Sequence, residues 1–140
     1  MGTTGLTRFL DAQNQMYLRA LEEIRNGKKT SHWMWFIFPQ IAGLGKSETA
    51  KFYSIRDLQE ATEYLNHPVL GNHLIATTSA LLVHEGKSVT EIFGSPDDMK
   101  LRSSMTLFSQ VKGADPIFEA VLAKYFGGNL DLLTLELLRK

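Results

Sequence analysis

The chain contains no cysteine. Disulfides, thiolate nucleophiles and cysteine-based zinc sites are therefore excluded. It has no excess of either charge: 15 Lys plus Arg balance 15 Asp plus Glu. Proteins that grip long nucleic acid draw much of their affinity from phosphate contacts and show a basic surplus. No basic run here exceeds Lys28-Lys29, so nucleic acid is not an expected partner, while a small anionic ligand stays open. No apolar run approaches the roughly 18–20 residues of a membrane-spanning helix, so no membrane partner is expected. Met1 to Gly5 has neither the basic start nor the apolar stretch of a secretory leader, and the expected location is the cytoplasm.

What is present is ordinary globular material: 140 residues, 44% hydrophobic and 21% charged. A chain of this length hides roughly 68–70% of its unfolded surface, enough for a core without cross-links. One domain spanning residues 1–140 is expected. Apolar spacing of three and four runs from Leu6 to Asn26 through Phe9, Leu10, Gln13, Met16, Tyr17, Ala20, Leu21 and Ile24, which predicts an amphipathic helix stopped by Gly27. Ser31 to Pro39 suits either a buried strand or a buried helix; with no second convincing strand to pair with, a helix capped by Ser31 and ended by Pro39 is expected. Short helices follow from Ser47 to Tyr53 and, opened by a box at Ser54–Asp57, to about Asn66. Pro68 suits the first turn of a helix reaching His84. Ser88 with Glu91 opens a turn to Phe93, and Ser95-Pro96-Asp97-Asp98 starts a helix to Lys112. Asp115-Pro116 repeats that signal, Gly127-Gly128 closes its helix, and Asp131–Leu138 is the last. The expected fold is all-α: about eight short-to-medium helices, orthogonally packed in one compact domain, with no significant sheet.

Three constellations carry candidate chemistry. Gly43-Leu44-Gly45-Lys46-Ser47 ends like a phosphate loop, but Gln40 stands where the first glycine of a Walker motif belongs and no strand precedes it. The remaining readings are an anion held by Lys46 and backbone N–H groups, and a flexible connector with a solvated lysine. His32, Trp33, Trp35 and Gln40 form the second group. A histidine in a first helical turn tends to be neutral, hence a general base or ligand contact, and the indoles suit stacking on a base. Against this stand a capping or core histidine and core tryptophans. In the third group, Asp97, Lys100 and Ser104 share a helix face, and Asp98 and Arg102 lie a turn apart. Hydroxyls beside Lys and Arg suit a phosphate or sugar, yet the same acid–base spacing makes an ordinary exposed helix pair. His67, His73 and His84 lack partners at i, i+4, so no metal site is expected, and no cofactor.

The segments Ser31 to Gln40 with Gly43-Leu44-Gly45, His67-Pro68-Val69-Leu70-Gly71, and Ser95 to Phe108 resemble the domain of unknown function 1810 family across nearly the whole chain. That resemblance implies a mainly helical bacterial-type domain and no established activity. His67-Pro68 through Leu81-Leu82 to Phe93-Gly94 is similar in rhythm to NADAR-type proteins, helical N-glycosidases acting on ADP-ribose-linked substrates and riboflavin intermediates. Two functions are therefore expected in competition. In the first, an enzyme or binder takes a phosphorylated, nucleotide-like ligand, with His32 and Asp98 catalytic. Trp33, Trp35, Gln40, Lys46, Asp97, Lys100, Arg102 and Ser104 would bind it. In the second, the chain is a non-enzymatic helical module for a protein partner.

Overall fold

A computed structural model describes the backbone of residues 2–139 and the side chains of residues 5–139. The leader reading concerns Met1–Gly5 and the single-domain span ends at Lys140; Met1 and Lys140 lie outside the described residues.

Among the described residues there are nine helices: α1 (Gly2–Asn26), α2 (Met34–Ile37), α3 (Glu48–Phe52), α4 (Leu58–Asn66), α5 (Leu70–Leu82), α6 (Val89–Phe93), α7 (Asp97–Ser109), α8 (Ile117–Phe126) and α9 (Leu132–Leu138). There is no strand among them, only an isolated parallel bridge between Ile41 and Ile55. No helix of the described residues is long and apolar enough to cross a membrane.

The long helix α1 packs against α5, and α7 packs against α8 and α4. The apolar stripe of α1 supplies Phe9, Ala20, Leu21 and Ile24 to the core. Phe9, Tyr64, Phe108 and Phe118 form a chain of aromatic contacts from α1 through α4 and α7 to α8, with ring centroids 5.1, 5.4 and 5.9 Å apart. A second aromatic group joins Trp33 and Phe38 to Phe93 of α6 at 6.2 and 5.9 Å. Such edge-on and tilted pairs add to the area they bury, at about 0.5–1.5 kcal/mol each.

Four expected starts are corrected. Ser31 does not cap a helix, because its N–H and hydroxyl are bonded to Glu23 of α1 at 3.0 and 2.6 Å. The helix shrinks to the single turn Met34–Ile37, whose N-cap position, Trp33, makes no side-chain cap bond. Ser54 does not open α4: its hydroxyl turns back to the Lys51 carbonyl at 2.8 Å, and Asp57 caps instead, accepting from the Glu60 N–H at 2.9 Å. Ser95 does not cap α7 either. The N-cap position is Pro96, and the first N–H groups find the carbonyls of Gly94 and Pro96. α7 also stops at Ser109, short of Lys112. Pro68 precedes α5 rather than lying in it, and His67 Nδ1 accepts from the N–H groups of Val69 and Leu70 at 3.1 and 3.2 Å. The box at Ser88 and Glu91 forms as the spacing predicts.

Candidate functional site

The loop between α1 and α2 is held by one carboxylate. Glu23 accepts from the N–H groups of Thr30 and Ser31 at 2.8 and 3.0 Å, from the Ser31 hydroxyl at 2.6 Å and from the Trp33 indole at 2.8 Å. Burial works to raise its pKa, but the hydrogen bonds from Ser31, Thr30 and Trp33 outweigh it and bring the carboxyl down to about 2. This clamp seats Trp33 in the core with no exposed surface.

The same loop brings a lysine to the start of α7. The Lys29 ammonium lies 2.9 Å from Asp97 Oδ2 and 5.1 Å from the Trp33 ring centroid. Its side chain is only 9% exposed. From the other side, Lys100 Nζ lies 3.5 Å from Asp97 Oδ1 and 5.7 Å from the Trp35 ring centroid. Asp97 is thus shared by two cations, which leaves one net positive charge beside a half-buried indole. Trp35 also borders a small cavity of about 10 Å³ with Gln40, Gly45 and Tyr53, room for about one water.

The two dense segments therefore meet, at Trp35 and Lys100, but not every candidate joins them there. Trp33 offers no open ring face for a base. His32 is exposed and precedes the single-turn helix α2 instead of lying in its first turn. Asp98 is buried, with one oxygen taking the Thr90 hydroxyl at 2.7 Å and the other the Met99 N–H at 2.8 Å. It ties α6 to α7. Arg102 faces Asp131, 3.5 Å away, at the cap of α9. Ser104 is wholly buried, and its hydroxyl meets no hydrogen-bond partner among the described residues. Lys46 is exposed just before α3, whose N-cap Ser47 accepts from the Ala50 N–H at 3.1 Å.

Sequence reasoning passed over Lys29 and Glu23. Lys29 sits in a pair of lysines that reads as solvent-facing, and Glu23 lies among the charged residues of an amphipathic helix. The available signal was geometric: Glu23 is one turn before Gly27, so a chain reversing there passes back over its carboxylate.

These features define an all-helical domain whose two densest polar–aromatic segments join at a tryptophan–lysine contact. The chain belongs to the family described as protein of unknown function (DUF1810), which it matches over residues 3–138. Among solved structures it is similar to the conserved hypothetical protein Rv1873 from Mycobacterium tuberculosis, at 49% identity and a TM-score of 0.94, with 96% of each chain covered. None of the curated proteins matches it.

Proposed function

We propose that the protein binds a small phosphorylated, nucleotide-like ligand where residues 31–46 meet residues 95–108. The observation that carries this reading is Lys100 poised 5.7 Å from the Trp35 ring centroid while sharing Asp97 with Lys29. An indole supplies a face for a base, and an ammonium beside it supplies a point charge for phosphate. Asp97 neutralises one of its two lysines and leaves the other charge for an anion. Gln40 lines the small cavity beside Trp35, and Lys46, next in the chain after the cavity residue Gly45, is the further cation assigned to the ligand.

Calorimetric titration with AMP, ADP-ribose and inorganic phosphate tests the reading. Saturable binding of AMP or ADP-ribose is expected, weakened about tenfold in Lys100→Ala, the order of one charge-assisted contact. No heat from any of the three, or binding indifferent to both Lys100→Ala and Trp35→Ala, would count against it. The competing reading, a helical module for a protein partner, is favoured by Asp98, both of whose carboxylate oxygens are engaged within the fold. It predicts no response to any nucleotide.

A further inference from the structure

A different polar cluster links α1 to α2, α4 and α5. Gln13 stands in the apolar stripe of α1 and is buried, at 2% exposure. Its amide nitrogen donates to the Phe36 carbonyl at 2.7 Å and to the Tyr64 hydroxyl at 2.8 Å. A carbonyl accepts only, so that end of the amide must be the NH₂. Gln13 Oε1 is then the atom 2.7 Å from His73 Nδ1. An amide oxygen also only accepts, so Nδ1 carries the proton. The neutral ring is left with its lone pair on Nε2, which meets no hydrogen-bond partner among the described residues. Tyr17 stacks on the ring, centroids 3.6 Å apart and planes 7° from parallel, which fixes its plane. Burial holds the imidazole below its ordinary pKa and so favours the neutral form.

This oriented imidazole borders an open cleft of about 360 Å³ lined by Leu10, Asp11, Gln13, Asn14, Val69 and His73. The size is that of a small-molecule site. Asp11 contributes the one formal charge in that lining and enters no salt bridge among the described residues. Leu10 and Val69 add apolar wall. The Gln13 amide has both its donor and acceptor ends occupied, so the polar lining left open is the Asp11 carboxylate and His73 Nε2, which only accept, and the Asn14 amide, which offers both a donor and an acceptor.

We propose that this cleft binds a small aliphatic amine, with His73 Nε2 and the Asp11 carboxylate accepting from its ammonium group and Leu10 and Val69 covering its stem. Gln13 is the positioning residue: it sets which ring nitrogen is bare. The chemistry is opposite in sign to the anion site at Lys100, so the two readings stand or fall separately.

The test uses the intact wild-type protein and long-range ¹H–¹⁵N NMR of the histidine rings at pH 7, with His73 assigned through His73→Gln. Without probe, the His73 signal should show a protonated Nδ1 and a bare Nε2. Butylamine should shift Nε2 saturably, while butyrate and inorganic phosphate should not. Asp11→Asn, an exposed substitution, should weaken butylamine about tenfold, the order of one charge-assisted hydrogen bond. A proton found on Nε2 would overturn the orientation argument. An absent shift, one equally produced by butyrate, or an affinity unchanged in Asp11→Asn would overturn the amine site.

Discussion

Replacing Glu23 with glutamine removes the charge that four donors share while leaving the shape of the side chain. The carboxyl is drawn from 4.5 to about 2 by those donors, against the opposing effect of burial. At about 1.36 kcal/mol per pH unit, that corresponds to about 3 kcal/mol of stability in the ionised form. Partial solvent screening brings the working figure to about 2–3 kcal/mol. The folded pKa lies below the unfolded one, so this contribution is complete above pH 4.5 and is lost as pH falls toward 2. Glu23→Gln should therefore unfold at a Tm lower by up to about 10 °C at pH 7. It should also show a flatter loss of stability between pH 5 and 2 than wild type. Thermal unfolding at pH 7 reads the first quantity, and urea unfolding at pH 7 and at steps down the acid range reads the second. A variant within about 0.5 kcal/mol of wild type at pH 7, the range of an ordinary surface change, would refute the clamp. An acid limb as steep as that of wild type would refute it independently.

Other substitutions follow the same logic. A Cβ at Gly71 would collide with the Leu65 carbonyl, so Gly71→Ala should cost about 3 kcal/mol in urea unfolding, the upper end of overpacking; a neutral result would mean the α4–α5 corner yields. Asp131 accepts from the Thr134 N–H and hydroxyl and from Ser103, so Asp131→Ala should cost about 2 kcal/mol in denaturant unfolding, a lost cap plus orphaned donors. Ser104→Ala should leave stability unchanged or raise it by up to about 1 kcal/mol, because its buried hydroxyl meets no partner among the described residues; a clear loss would reveal a bond to that hydroxyl.

The helices with strong periodicity or a local cap were legible in the sequence. α1 is carried by a repeat over many turns, and α6 by reciprocal bonds between Ser88 and Glu91, four neighbouring residues of chain. Ser31, Ser54 and Ser95 misled because a hydroxyl before an apolar run is only an available cap. What each N–H bonds depends on groups distant in sequence, such as Glu23, or on a carbonyl such as that of Gly94. The candidate site divided the same way. Trp35, Asp97 and Lys100 carry their chemistry in their identity, and the fold draws them together. Trp33 and Ser104 carry the same chemistry but face the core, and an apolar run buried on all sides gives no period from which the inward residue can be told from the outward one. Lys29 and the pair Gln13–His73 needed the crossing of α1 with its neighbours, which no local pattern encodes.

The ligand reading is tested most directly by the two tryptophan indole signals in a ¹H–¹⁵N spectrum during titration with ADP-ribose. Trp33 donates its indole N–H to Glu23 in the core, and Trp35 stands beside Lys100 at the meeting of the two segments. The account predicts a saturable shift of the Trp35 signal, with Trp33 moving less, and its disappearance in Lys100→Ala. Two unmoved indoles, or a shift confined to Trp33, would contradict it.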